Sequence, residues 1–195
     1  DFEEVLITLV QTVLASQSPH FLLGSAALHL MTPAAAGDSG QTPWQALHAL
    51  KHQPTQFGQA LSRALDEARR VQPPLTLIER YAAGEQRICD VTVPDGCAVF
   101  AMVASANRDA TVFGADAEQF RADRLITDGQ LLSLGHGIHE CAGRDLQARL
   151  VPLALGALVT ALGDLRLRNP AAFPAWQSTV YFRVLQGLSV TCCPP

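Results

Sequence analysis

The sequence predicts a mainly helical fold with a small β region, and three observations support this. Hydrophobic residues make up 48% of the 195 residues and charged residues only 16%, a composition that excludes intrinsic disorder. Apolar residues recur at helical spacing through most of the first 71 residues and again late in the chain. Alternating, β-branched sequence begins only near residue 88. At roughly 150 residues per domain, we treat residues 1–195 as one domain.

Residues 3–31 predict a helix that Pro19 kinks or divides, because proline cannot sit inside a regular helix. The polar run at residues 16–20 interrupts the apolar sequence, so it falls short of the roughly 18 apolar residues of a membrane span. We therefore expect a buried helix and no transmembrane segment. Because the chain begins with Asp1 and no charged leader precedes the apolar start, we interpret it as part of a longer polypeptide or as a truncated variant.

The next elements are also helical. Glycine and proline mark residues 32–43 as a loop, and helical spacing resumes over residues 44–51. A second helix is predicted over residues 56–71, where small and apolar side chains form one stripe, and Pro73-Pro74 end it. The stripe consists of Leu61, Ala64, Leu65 and Ala68.

The β region follows. Residues 88–93 and 98–103 flank the turn sequence Pro94-Asp95-Gly96, which predicts a small β-hairpin. An irregular stretch over residues 107–129 leads to a long helix over residues 142–162, ended by Gly163. Short strands are expected over residues 165–191. Pro152 lies inside the long helix, where it would cost about 3 kcal/mol unless a kink is accommodated.

Charge and cysteine content exclude several partner classes. With 14 Lys and Arg against 18 Asp and Glu, the net charge of −4 excludes a basic surface for nucleic acid or for anionic membranes. The five cysteines lack the short spacing of a structural zinc site or a disulfide framework. We therefore expect a reducing compartment and a cytoplasmic location.

A glycine-rich loop delivers one cysteine to the start of the long helix. Glycines let a backbone pass close to a flat ring, and backbone amides together with a helix N-terminus stabilise a thiolate. The loop reads Leu134-Gly135-His136-Gly137-Ile138-His139-Glu140-Cys141-Ala142-Gly143. It resembles the haem-binding loop of the cytochrome P450 family, Phe-Gly-x-Gly-x-(His or Arg)-x-Cys-x-Gly, with Leu134 in place of Phe.

The resemblance implies haem b (iron protoporphyrin IX) as the cofactor and Cys141 as its axial metal ligand. A thiolate ligand donates electron density to the iron and favours O–O cleavage. By family position, Arg80 and His139 would hold the haem propionates through charge-assisted hydrogen bonds. The expected cofactor-binding residues are Arg80, Leu134, Gly135, Gly137, His139, Cys141 and Gly143.

Two further blocks resemble the same family in the same order. Glu67-Ala68-Arg69-Arg70 with the following prolines is similar to the Glu-x-x-Arg helix, whose ion pair is structural rather than catalytic. Residues 106–124 are similar to the stretch that precedes the haem loop. The resemblance covers nearly the whole chain but only about the C-terminal half of a family member, so we predict a partial cytochrome P450-like fold.

By this alignment, residues 3–31 occupy the helix that crosses the distal face of the haem. The acid–alcohol pair that relays protons is absent, because Ala15-Ser16-Gln17-Ser18-Pro19 replaces (Ala/Gly)-Gly-x-(Asp/Glu)-Thr. The candidate catalytic residues are Ser18, which could place a water, Pro19, which some peroxide-using relatives share, and His20, a candidate acid or base near neutral pH.

These features leave three functional hypotheses. The first is a monooxygenase acting on a small organic or lipid-like substrate, with a ferredoxin or flavoprotein reductase as electron-transfer partner. The second, motivated by Ser18-Pro19, is peroxide-driven oxidation or hydroperoxide rearrangement, which needs no reductant. The third is a degenerate P450-like interaction module, which stoichiometric haem bound through Cys141 would contradict.

Overall fold

The computed structural model describes residues 2–33, 40–127, 129–171 and 174–193. The described residues form seven helices joined to eight short strands. The helices are α1 (Phe2–Ala15), α2 (Ser18–Met31), α3 (Pro43–Ala49), α4 (Pro54–Val71), α5 (Val103–Ala106), α6 (Ala110–Phe113) and α7 (Arg144–Leu162). The strands are β1 (Ile78–Tyr81), β2 (Gln86–Ile88), β3 (Val91–Val93), β4 (Ala98–Ala101), β5 (Asp164–Leu167), β6 (Trp176–Ser178), β7 (Arg183–Leu185) and β8 (Val190–Cys193). The prediction of a mainly helical fold with small sheets is confirmed.

Helices α2, α3, α4 and α7 enclose the hydrophobic core. The predicted stripe of α4 is buried there, and each fully buried leucine contributes about 1.5–3 kcal/mol to folding. Trp44 on α3 is fully buried, and its Nε1 donates a hydrogen bond to the carbonyl of Gly163 at 2.9 Å. The core thereby fixes where α7 ends and the tail strands begin.

The predicted helix over residues 3–31 is divided as expected. Pro19 lies in the first turn of α2, where its missing N–H has no intrahelical partner to lose. The expected burial is confirmed for α2 but wrong for α1, whose apolar side chains are exposed, from Leu6 at 49% to Phe2 at 79%. The reason is that the described core draws its side chains from α2, α3, α4, α7 and the tail rather than from α1.

A β-hairpin is present, but the predicted pairing of residues 88–93 with residues 98–103 is wrong, because β3 and β4 each pair with an earlier strand. Strands β2 and β3 pair antiparallel around Cys89 and Asp90, and Cys89 adopts a positive φ of 52°. The Pro94-Asp95-Gly96 turn instead leads to β4, which pairs antiparallel with β1. Backbone hydrogen bonds of 2.9 Å join Ala82 to Gly96 and Cys97 and set that register. The strand predicted to reach residue 103 ends at Ala101, because α5 begins two residues later.

Helix α7 ends before Gly163, which has a φ of +60°, and so confirms the predicted stop. Pro152 lies within the helix and has no N–H to donate to the carbonyl of Ala148. Ala148 is exposed, so water can donate to this carbonyl instead. By length and composition alone α7 is the one described helix that could cross a membrane, a test that core helices of soluble proteins also pass. Its inner face is fully buried in the core at Val151, Leu155 and Val159.

The tail forms the predicted short strands. Strands β5 and β8 pair antiparallel, as do β6 and β7. A single bridge between Leu75 and Phe182 connects the β6–β7 region to the segment after α4. The predicted loop over residues 32–43 lies partly outside the described residues, because 34–39 are not among them.

Candidate functional site

One partly open cleft of about 330 Å³ brings together residues from distant parts of the sequence. Helices α2 and α7, the C-terminal end of α4, strand β1, the glycine-rich loop and the β6–β7 connection all contribute to its wall. Six residues singled out from the sequence line it: Ser18, Arg80, Leu134, Gly135, His139 and Cys141. The remaining candidates, Pro19, His20, Gly137 and Gly143, do not line it.

The glycine-rich loop closes tightly on itself. The N–H of Cys141 donates to the carbonyl of Leu134 at 2.8 Å, and α7 begins three residues later at Arg144. Gly135 has a φ of +76°, and a Cβ at this position would lie 2.9 Å from the His139 carbonyl oxygen. Glycine is therefore required at position 135 both by its backbone conformation and by the close approach of the chain. The Cys141 side chain is exposed along the cleft.

Two of the other loop positions are less constrained. Gly137 begins a short 3-10 turn over Gly137–His139 with a φ of +69°, but a Cβ there would meet nothing within 4 Å. A Cβ on Gly143 would lie 3.7 Å from the Cys141 sulfur, an ordinary contact distance. The structure therefore does not require glycine at position 143.

The buried pair of Glu67 and Arg70 holds the segment that leads to the loop. Arg70 Nε donates to Glu67 Oε2 at 2.7 Å and Nη2 donates to Oε1 at 2.8 Å, with both side chains fully buried. Arg70 also donates to the carbonyls of Asn107, Ala117 and Gln119. All three guanidinium nitrogens of Arg70 thus have acceptors, either on Glu67 or on residues 107–119, which agrees with the structural role that the resemblance implied.

Asn107 extends this scaffold to the glycine-rich loop. It is fully buried, its Nδ2 donates to Ser133 Oγ at 2.7 Å, and its Oδ1 accepts from the N–H of Leu132 at 3.0 Å. The Ser133 hydroxyl in turn donates to the carbonyl of Arg69 at 2.8 Å. The loop residues that border the cleft are therefore tied to α4 by a continuous set of hydrogen bonds.

The cleft carries positive charge and lacks negative charge. Arg80 on β1 is exposed and uses Nη1 to donate to the Glu79 carbonyl at 2.7 Å, while His139 is exposed on the loop. Arg69 is nine-tenths buried and pairs with Asp66 at 2.9 Å; burial lowers the pKa of its guanidinium and the carboxylate opposes this. No Asp or Glu lines the cleft among the residues described. The site is suited to a ligand with anionic groups.

The cleft residues that the sequence did not single out as site residues include Arg69, Ser133, Gln147 and Phe182. Gln147 could have been found, because it occupies the stripe of α7 that continues at four-residue spacing through Val151 and Leu155. A polar side chain on an otherwise apolar buried stripe is a signal for a specific partner. The position of Phe182 in the cleft depends on its bridge to Leu75, and no pattern in the neighbouring sequence predicts that long-range contact.

Comparison with known proteins gives consistent results. A family model described as "Cytochrome P450" matches residues 59–161. Cytochrome P450 107B1 of Saccharopolyspora erythraea is 32% identical over 145 residues, covering 74% of this chain and 34% of that protein. The mycinamicin IV hydroxylase/epoxidase of Micromonospora griseorubida is 34% identical over 108 residues, covering 55% of this chain and 26% of that protein.

Among solved structures, the tirandamycin C-bound P450 monooxygenase TamI superimposes with a TM-score of 0.75 at 28% identity. The alignment covers 91% of this chain and 40% of that one. The chain therefore spans about a third or less of the length of these curated relatives.

Proposed function

Because this chain belongs to the cytochrome P450 family, we propose that it forms the haem-binding part of a haem-thiolate monooxygenase. The proposed reaction is the oxidation of a small organic or lipid-like substrate. The observation that carries the proposal is the placement of Cys141, held by the Leu134 carbonyl at the entrance to α7, in one cleft with Arg80 and His139.

The cleft residues fit haem b. No cluster of three or more His, Cys, Asp or Glu residues exists among those described, so a metal bound by Cys141 needs its other ligands from a cofactor such as a porphyrin. Pro74, Leu75 and Ile78 supply apolar surface for a flat ring, and Arg80 and His139 supply donors for its two carboxylates. When bound, a thiolate-ligated haem supplies the activation of dioxygen or peroxide.

The protein's own residues hold, orient and protect the reactants. The positive φ of Gly135 and its close approach to the His139 carbonyl keep the loop backbone tightly folded beside the cleft. Helix α7 begins three residues after Cys141, so the partial positive charge of its N-terminus lies near the residue that would ligate the iron. Ser18 offers a hydroxyl on the α2 side of the same cleft, where it can hold a water or donate a hydrogen bond.

A second candidate is peroxide-driven oxidation or hydroperoxide rearrangement. The observation that favours it is the lack of a carboxylate among the described cleft residues, since reductant-dependent oxygen activation needs a supply of protons. Turnover with peroxide and no reductant would select this candidate. Turnover that requires a ferredoxin or flavoprotein reductase would select the monooxygenase.

For either reaction we propose a cytoplasmic, reducing location, in keeping with the absence of a disulfide at Cys89, Cys97 and Cys141.

The decisive experiment is the reduced, carbon-monoxide-bound difference spectrum of the haem-loaded protein. Thiolate ligation produces the red-shifted Soret band that gives the family its name, and Cys141→Ser is expected to abolish it. Cys97→Ser is the matched control, because Cys97 is exposed and lies outside the cleft. Failure of the protein to take up haem would refute the proposal and favour an interaction module. Retention of the band in Cys141→Ser would refute the ligand assignment.

A further inference from the structure

A hydrogen bond links the two helices that face each other across the cleft. Gln147 on α7 donates from Nε2 to Ser18 Oγ, the first residue of α2, at 3.2 Å. The two residues are 129 positions apart, and both line the cleft together with Cys141. Gln147 is 8% exposed, so its side chain is held in place by the packing of α7.

The Ser18 hydroxyl is bonded differently from six other hydroxyls on or next to the described helices. Those six donate to a carbonyl three or four residues earlier, as Ser25 does to Leu22 at 3.1 Å and Thr160 to Gly156 at 2.7 Å. The other four are Thr8, Thr12, Ser16 and Thr32. Ser18 accepts the bond from Gln147 and donates to no atom in the described residues. The Ser18 oxygen is therefore held by one accepted hydrogen bond, while its O–H has no acceptor among the described residues.

We propose that Gln147 is a positioning residue that fixes the Ser18 hydroxyl so that its proton points into the cleft, toward an oxygen atom of the oxidant. The amide nitrogen of glutamine is a donor only, so it occupies a lone pair of Ser18 Oγ and leaves the O–H free. The inference rests on the proposed function, because the group that receives this hydrogen bond is held beside Cys141. The sequence lacks the acid–alcohol pair. Ser18 and Gln147 together would then take its place and supply a hydrogen bond to the oxidant.

Two substitutions separate positioning from mere packing. Gln147→Leu removes the donor at similar size, and Gln147→Glu replaces it with an acceptor that would draw the Ser18 proton away from the cleft. Ser18→Ala removes the hydroxyl itself. Ser25→Ala on α2 and Thr160→Val on α7 are the matched controls, since each removes a hydroxyl that is bonded within its own helix.

The first measurement is the infrared C–O stretching frequency of the reduced, carbon-monoxide-bound protein, which falls when a hydrogen bond reaches the bound oxygen atom. We expect Ser18→Ala, Gln147→Leu and Gln147→Glu each to raise the frequency, and both controls to leave it unchanged. The double variant Ser18→Ala/Gln147→Leu should match Ser18→Ala alone, because the two residues act as one unit. An unchanged frequency in Gln147→Leu and Gln147→Glu would overturn the proposal.

The second measurement needs no haem. In the ¹⁵N–¹H correlation spectrum of the haem-free protein, Ser18→Ala should shift the side-chain amide signals of Gln147, and Ser25→Ala should not. Unshifted signals in Ser18→Ala would show that the hydrogen bond is absent and overturn the inference. Absence of haem uptake would refute the proposed function and this inference together. If haem binds through the thiolate but the C–O frequency is the same in the Gln147 variants as in the unchanged protein, this inference alone would be refuted.

Discussion

Replacing Glu67 with glutamine tests how the scaffold behind the cleft is stabilised. Glu67 is fully buried and its two oxygens accept four hydrogen bonds: two from Arg70, one from the Arg121 N–H at 2.9 Å and one from Arg124 Nε at 3.1 Å. Glu67→Gln keeps the shape but removes the negative charge, which leaves the buried Arg70 guanidinium without its counter-charge.

The size of the effect follows from this burial. Breaking a buried ion pair by removing one partner costs about 3–5 kcal/mol, because the remaining charge stays desolvated. For a domain of this size, a loss of 3 kcal/mol lowers Tm by roughly 6–12 °C. Loss of the pair should also loosen the residues 107–119 that Arg70 holds, and so weaken haem retention.

The assay is urea unfolding followed by circular dichroism, with Asp90→Asn as the control. Asp90 pairs with Arg87 at the same i, i+3 spacing, but at 3.7 Å and with both side chains largely exposed. An exposed pair contributes about 0–1 kcal/mol, so the control should change the free energy of unfolding very little. If Glu67→Gln destabilised the protein no more than Asp90→Asn, the argument from burial would be refuted.

Two further predictions concern the loop and a buried histidine. Gly135→Ala should destabilise the protein and reduce haem retention more than Gly137→Ala, because both glycines have positive φ but only Gly135 meets a carbonyl at 2.9 Å; equal effects would refute the steric argument. Burial lowers the pKa of His29 from 6.5 to about 4. The unfolded chain therefore binds the proton first on acidification, and stability present above pH 6.5 should fall by about 3 kcal/mol as the pH approaches 4. His29→Phe, which keeps the stacking on Phe120, should flatten this part of the urea-unfolding profile, and an unchanged slope would contradict the assignment.

Much of the local structure could be predicted because it depends on neighbouring residues. Pro19 divides α1 from α2, and Gly163 ends α7, since each acts through its own backbone dihedral angles. The wrong hairpin turn shows the limit of such rules. Pro94-Asp95-Gly96 has the composition of a turn and forms one, but the strand that follows pairs with β1, which precedes it by some twenty residues. Turn chemistry specifies a change of direction and not the pairing partner.

The cleft shows the same division. The spacing of glycines around Cys141 and the Glu67–Arg70 pair were recognisable as motifs, because each is confined to a few consecutive residues. The structure alone revealed that Gln147 reaches Ser18, since that contact depends on how α2 packs against α7.

By itself, then, the sequence determined the order of the long helices and the loop that presents Cys141, since dihedral preferences and apolar spacing operate over one or two turns. Tertiary packing decided that α1 stays exposed while α2 is buried, that β4 joins β1, and which side chains share the cleft. The physical reason is that burial, strand pairing and cleft formation depend on surfaces that meet only after distant segments have folded together.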